Sequence, residues 1–359
     1  MESHLSFSTV TATIFPVIVL VFLLHILNRN RANRGKNRKP PQAKGAWPII
    51  GHLHLLGGPQ LPHHVLGDMA DKNGPIFTIK LGVHQALVVS DGAIAKDCFT
   101  TNDKAFASRP KSEATQLMAY NYAMFAFAPY GEYWRQMRKM VMLEVLSQRR
   151  VEMFGHIRTS ELRASIRDLY RHWVENESEK PEMVKVEISQ WFGNLVVNIM
   201  VRIITGKSFS PSDAEGVRFQ MVVKKFFELM GAFVVSDYIP YVKCLDVGGY
   251  SEAMKKTARD LDIIFEGWLN ERRIGSKSSQ QHEGNRVIID VLISLLQGAS
   301  EEEFPGFDHD TVIKSTCQQF VLKTPSDEAI DMSETSGLTI SKTTPLEVLL
   351  TPRLSSNMY

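Results

Sequence analysis

The sequence predicts a mainly α, α+β body behind one N-terminal transmembrane helix. Three observations carry that reading. Residues 10–27, VTATIFPVIVLVFLLHIL, form an apolar run of about the minimum length to cross a bilayer core. From Gly131 onward the apolar positions repeat mostly with a helical period. Strand-like alternation is confined to the two ends of the body, at residues 76–90 and 328–353. Sheet and helix segregated along the chain are the mark of an α+β layout. With 44% hydrophobic and 22% charged residues over 359 positions, wholesale disorder is excluded.

The N-terminal elements come first. Residues 1–44 carry seven Lys/Arg against one acid, Glu2, so this segment is +6 within a chain of net charge +2 and leaves a mildly acidic body. The charges follow the apolar run, and basic residues just past a span stay on the cytosolic side. A cleaved signal peptide would place its charge first and small residues at a cleavage site. Residues 1–28 are therefore expected to be a signal anchor with a lumenal N-terminus, and 29–60 a basic stop and proline-rich hinge. In KPPQAKGAWPIIGHLHLL, Pro40, Pro41 and Pro48 forbid a continuous helix. Trp47, Ile49, Ile50 and Leu53 are expected to pack this strap onto the body. A basic leader on an acidic body argues against nucleic acid as a partner, since a binder would carry its charge on the folded surface.

Within the body, a helix fits Pro62–Lys72. IFTIKLG (76–82) and QALVVS (85–90) fit a hairpin turning at Val83-His84. Asp91 can cap a helix running to about Thr100. Residues 104–130 read as loop. Helices are then expected at about 131–146, 149–175, 188–205, 214–230, 250–274 and 286–297, with one more from Thr311 behind Asp308 or Asp310. Residues 275–284 read as a surface loop.

Nucleotide-binding and hydrolase signatures are absent: no P-loop, G-x-G-x-x-G, H-E-x-x-H or G-x-S-x-G. Cys98, Cys244 and Cys317 are too few and too scattered for a disulfide framework or a zinc site. His52, His54, His63 and His64 read as packing or surface residues. One constellation stands out, FAPYGEYWRQMRK at 127–139. Trp134 and Arg138 are i, i+4 and share a face that Val141 and Val145 extend toward the core. An indole N–H and a guanidinium fork on a half-buried face can hold a carboxylate. The same spacing also suits a surface cation–π pair.

FAPYGEYWRQMRK resembles the C-helix signature of plant microsomal cytochrome P-450 monooxygenases. The hinge PPQAKGAWPIIGHLHLL, AFASRPKSEA (105–114), SDYIPYVKCLDVGGYSEAMKKTARDLD (236–262) and SGLTISKTTPLEVLLTPRL (336–354) resemble the same proteins, in the same order. The plant family numbered 82, which oxidises specialised metabolites, is the group in view. The resemblance implies a haem cofactor whose propionate is held by Trp134 and Arg138. It implies a pocket for a small apolar substrate lined by Met118, Tyr120, Tyr122, Met124 and Phe125 of a recognition loop at 111–127. Phe226, Phe227, Met230 and Phe233 would add a helix end to that pocket, and Leu338 and Thr339 a strand turn. It also implies an endoplasmic reticulum membrane, NADPH-cytochrome P-450 reductase as electron donor, and a docking side around Arg135, Lys139, Arg149 and Arg150. The bland reading of the apolar residues is core packing, and that of the basic ones a solvated face.

Against this set, the family's F-x-x-G-x-R-x-C-x-G thiolate loop and its A-G-x-D-T helix motif have no match in the sequence. The E-x-x-R pair that braces the family's haem-binding core is also missing from its place after the I helix, since the E-x-x-R spellings at 132–135, 215–218 and 283–286 all precede that helix. The haem thiolate is what favours O–O cleavage in such enzymes. Cys317, in IKSTCQQF, falls inside a predicted helix and is not a credible ligand; it reads as a small core residue. KSTCQQFVLKTPSDEAIDM changes from helix interior to polar tail between Gln318 and Lys323. It reads as a seam that joins 61–320, the body up to the start of the I helix, to 321–359, its C-terminal strands. On the order of 150 residues, one domain's worth, would be missing between them. Skipped exons, an alternative transcript or a gene-model error would each leave such a seam. The expectation is an inactive chain with a poorly packed body; a non-catalytic membrane-anchored isoform that meets the reductase or full-length relatives is the alternative.

Overall fold

A computed structural model describes residues 39–176, 184–209, 213–276, 287–298, 303–320, 334–335, 341–342 and 347–350. The expected anchor, Leu338, Thr339 and most of the seam lie outside the described residues. Among the described residues no helix is long and apolar enough to cross a membrane.

The hinge is tied down by backbone rather than by its large side chains. Gln42 bridges Thr78 and Gly51 bridges Leu81. The fully buried His52 ring stands between the Ala43 carbonyl at 3.2 Å and the Lys80 N–H at 2.9 Å. Leu53 is buried as expected, but Trp47 and Ile49 are 58% and 69% exposed. The reason is a tight reversal: Ile49 and Gly51 take positive φ, and Trp47 and Gly51 exchange backbone hydrogen bonds. Trp47 then stacks on His54 at 4.5 Å instead of on the body.

Helix α1 (Pro62–Asn73) opens on proline, whose missing N–H costs nothing at a first turn. Strands β1 (Ile76–Leu81) and β2 (His84–Val89) form an antiparallel hairpin registered Ile76↔Val89 to Leu81↔His84. The turn falls on Gly82-Val83, one residue earlier than expected, because Gly82 takes φ +56 and His84 stays in the ladder. A Cβ on Gly82 would overlap the Tyr238 carbonyl. Helix α2 (Gly92–Phe99) is capped by Asp91, which accepts from Ile94 N–H at 2.9 Å. The stretch expected as loop contains a turn of helix at Asp103–Phe106 and helix α3 (Glu113–Met118). Ser112 and Thr115 make a reciprocal capping box at its start.

Helix α4 (Glu132–Met140) runs into a π turn, Val141–Val145. The expected helix at 149–175 is two, α5 (Gln148–Met153) and α6 (Gly155–Asn176), broken where Phe154 turns into the core. Strand β3 (Val184–Glu187) was not anticipated. Helices α7 (Ile188–Thr205) and α8 (Ala214–Met230) have the expected bounds. Then come α9 (Tyr250–Ser276), α10 (Ile288–Gln297) and α11 (His309–Phe320), the last with Asp308 accepting from Thr311 N–H. In the tail, β4 (Glu334–Thr335) pairs with β5 (Ser341–Lys342), and β6 (Glu347–Leu350) pairs antiparallel with β3. The tail is thus hydrogen-bonded to a strand that precedes α7.

One apolar core runs from α3 and α4 through α7–α9 to α10 and α11, with Trp268, Phe219, Phe226 and Met137 fully buried. Apolar surface remains uncovered elsewhere. Met142, Leu143 and Leu146 are 52%, 58% and 43% exposed.

Candidate functional site

The site is built on α4. Its buried row is Tyr133, Met137, Val141 and Val145; the π turn carries that row on past Met140. Trp134 and Arg138 lie one position round. Trp134 is half-buried against the core and Arg138 is exposed. The Arg138 guanidinium stands 5.2 Å from the Trp134 ring centroid, and Tyr130 extends the aromatic group at 5.4 Å. Of the two readings that spacing allowed, the pair adopts the cation–π stack. A guanidinium in such a pair still has N–H donors for an anion.

The loop after α3 supplies the second part. Tyr120, Asn121 and Tyr122 have φ of 50°, 50° and 70°, three successive non-glycine residues in the left-handed region. Each costs about 1 kcal/mol or more, so surrounding contacts must hold them. Asn121 N–H donates to Gln116 O at 3.0 Å and Met124 N–H to Ala119 O at 3.3 Å. Three neighbouring helices reinforce the loop. Tyr133 of α4 donates its hydroxyl to Ala123 O at 2.5 Å, and Gln318 of α11 donates from Nε2 to Met118 O at 3.0 Å. Tyr120 donates to Asp262 Oδ1 of α9 at 3.0 Å.

Asp262 also receives Lys314 Nζ at 2.7 Å, and Lys314 reaches Glu266 at 3.2 Å. Burial pushes the Tyr120 phenol well above its ordinary value, and the Asp262 carboxylate adds to the shift. Burial alone would lower the Lys314 ammonium, but hydrogen bonds to Asp262 and Glu266 outweigh it and hold the group above its usual value. Tyr120 is therefore a neutral donor and Lys314 a charged one across the physiological range.

The structure brings the expected pocket residues together unevenly. Met118, Met124 and Phe226 are buried in the common core. Tyr120, Phe125, Phe227 and Met230 are half-buried and packed against it, and Tyr122 is half-buried too. Phe233 departs from that group: it is 51% exposed and stacks on Tyr238 at 5.0 Å. The chain leaves α8 at Gly231, and by Phe233 the helical face is lost. Asp262, Glu266, Lys314 and Gln318 were not anticipated. Only the i, i+4 pair Asp262/Glu266 left a trace in the sequence, and its partners lie on other helices.

The donors fit one end of a haem and not the other. A guanidinium and an indole at a surface rim suit a propionate. The one cysteine beyond α10 does not suit iron. Cys317 is 1% exposed within α11, and burial pushes its thiol well above the usual range, away from the thiolate a metal needs. Among the described residues no group of His, Cys, Asp and Glu could hold a metal ion.

The family model described as Cytochrome P450 matches residues 40–321. Demethylepipodophyllotoxin synthase of Sinopodophyllum hexandrum is 45% identical over 80% of this chain and 55% of its own length. Xanthotoxin 5-hydroxylase of Arabidopsis thaliana is 41% identical over 86% of this chain and 59% of its own. Cytochrome P450 82A4 of Glycine max is 42% identical over 88% and 60%. The chain thus spans a little over half the length of the curated relatives it matches. A solved zebra fish cytochrome P450 with progesterone superposes with a TM-score of 0.55 at 18% identity, over 72% of this chain and 55% of that one, which shows the shared fold.

Proposed function

The chain belongs to the cytochrome P450 family and is similar to its plant members numbered 82, and from that premise we propose that it carries the propionate-binding and pocket-forming part of a haem-thiolate monooxygenase without the segment that supplies the iron ligand. The observation that carries the reading is the Trp134–Arg138 stack on the rim of the core that contains Met118, Met124 and Phe226. In this reading Arg138 turns its N–H fork to a propionate while Trp134 supports its flat face. Met118, Tyr120, Tyr122, Met124, Phe125, Phe226, Phe227 and Met230 form the wall toward a small apolar plant metabolite. Leu338 and Thr339 complete it in an uninterrupted form. Two of the named relatives are a synthase and a hydroxylase, so the uninterrupted form would oxygenate a specialised metabolite. The interruption is supported by a family match that stops at residue 321 and by relatives nearly twice as long as the matched part. Residues 10–27 would anchor the body to the endoplasmic reticulum. Arg135, Lys139, Arg149 and Arg150 would face the NADPH-cytochrome P450 reductase.

Haem titration of the full chain in detergent tests the propionate assignment. Arg138→Ala is expected to weaken binding of haem with free propionates roughly tenfold or more, the loss carried by one hydrogen bond to a charged group. Binding of the haem dimethyl ester, which has no carboxylates, should be unchanged. Equal effects on both would remove Arg138 from the role.

A second reading is favoured by the exposed Met142, Leu143 and Leu146 beside Lys139, Arg149 and Arg150. An apolar patch with a basic rim suits a protein partner. The chain would then be a non-catalytic, membrane-anchored isoform that competes for the reductase or pairs with full-length relatives. Purified reductase in nanodiscs should bind the chain and lose the interaction in Leu143→Asp; rapid degradation of the chain in cells would count against a selected role.

A further inference from the structure

Helix α6 carries an uncompensated positive face. Between His156 and Arg167 it holds Arg158, Arg163 and Arg167 against one acid, Glu161, and its first turn has no acid. That acid is withdrawn from the surface: Glu161 is 4% exposed and ion-paired with Arg202 of α7. Two arginines of the helix are committed locally, Arg158 to Val151 O at 2.8 Å and Arg171 to Asp168 at 3.0 Å. Arg163 and Arg167 line a groove of about 470 Å³, together with His156, Thr159, Ser160 and Ala164 among the described residues. All of these except Ser160 are exposed. None of them belongs to the core or to the site on α4.

The groove is lined with donors. Arg163 and Arg167 stand one turn apart, about 6 Å along the axis, and each presents a planar fork suited to phosphate. Thr159 adds a hydroxyl one turn before Arg163, and His156 a ring beyond it. Behind them Ser160 Oγ accepts from Arg202 Nη1 at 3.1 Å, which carries positive charge up to the groove floor. The positive end of the helix dipole falls at His156. One fork satisfies a single carboxylate or phosphate. A row of donors over about three turns matches linked phosphoryl groups, whose charge and acceptor oxygens are repeated along a chain.

We propose that this groove is a binding site for a di- or triphosphate group, held by Arg163 and Arg167 at one end and by Thr159 and His156 at the other. The group would arrive on a soluble phosphate-bearing molecule or on a phosphorylated lipid headgroup, and the recognition chemistry is the same.

Equilibrium dialysis of the full chain in neutral detergent against inorganic tripolyphosphate tests it. Physiological salt is used, at which exposed charges more than about 8 Å apart are largely screened. One saturable site is expected. Arg163→Gln and Arg167→Gln should each weaken it roughly tenfold or more, the loss carried by a hydrogen bond to a charged group. Arg163→Lys, which keeps the charge without the fork, should fall between. Arg171→Gln, on the same helix but paired with Asp168, should stay within about twofold. The seven Lys/Arg of residues 1–44 offer a second, weaker attachment. Binding left in the Arg163→Gln/Arg167→Gln double variant measures it. Citrate, which has no phosphoryl groups, should bind at least roughly tenfold more weakly than tripolyphosphate. Repeating the titration in nanodiscs separates the two sources. Weaker tripolyphosphate binding when phosphatidylinositol bisphosphate is present assigns the groove to a headgroup, and unchanged binding assigns it to a soluble ligand. No saturable binding, an equal loss in Arg171→Gln, full binding in the double variant, or citrate binding as tightly would overturn the site.

Discussion

Trp134 and Arg138 were legible in the sequence as a pair, and the structure adds where the pair lies: on the rim of α4, with Tyr133 and Met137 taking the buried row. Spacing fixes which residues share a helix face; which face turns inward depends on what packs there. The pocket residues show the same limit. Phe226 and Phe233 look alike in sequence, yet one is fully buried and the other 51% exposed. Phe226→Ala is expected to cost about 3–5 kcal/mol in detergent-solubilised unfolding, the range for a buried aromatic, and Phe233→Ala within about 0.5 kcal/mol, as for a surface position. Asp237 offers a pH test. Burial raises its carboxyl above the ordinary value, and the Glu113 charge adds to the shift, against opposing contributions from its backbone hydrogen bond, Lys243 and His84. A raised acid favours the folded chain when protonated, so its contribution is present below the ordinary carboxylate pKa, about 3.9, and is lost as pH rises through the folded value. Asp237→Asn should flatten that part of the stability–pH curve measured by thermal unfolding; a curve unchanged in slope would contradict the assignment.

Elements were legible wherever their ends carry local chemistry. Helices α7 and α8 begin and stop where expected because Gly206 takes φ +77 behind α7, Asp213 caps α8, and Gly231 follows it. Gly206→Ala should lower thermal stability by about 1 kcal/mol or more, because the left-handed backbone is strained for alanine and the new Cβ would overlap the Arg272 guanidinium. Strand β3 was not legible, since its partner β6 lies far along the chain and four residues carry little period of their own. The break at Phe154 and the π turn at Val141–Val145 were hidden for a related reason: each answers to packing, not to a helix breaker. Val186→Pro puts a proline, which strand interiors tolerate poorly, opposite Val348. It should release the tail to protease at residues 347–350 while leaving α9 protected; equal cleavage before and after the substitution would mean that the ladder does not hold the tail.

At the scale of the whole molecule, the family match runs from the hinge at residue 40 to residue 321, just past α11. The structure holds together the α4 rim, the loop after α3 braced by Tyr120, Tyr133 and Gln318, and the core shared by α8, α9 and α11. Cys317, the one cysteine beyond α10, does not suit iron: it is buried in a regular helix, and burial pushes its thiol well above the usual range. The measurement that tests this most directly is a reduced carbon monoxide difference spectrum of the full chain in microsomes, with its level fixed by immunoblot. No thiolate-type Soret band is expected from the chain as it stands, and such a band is expected once the part of a relative that follows its counterpart of α11 is inserted after Phe320. A thiolate-type band from the chain alone would contradict it.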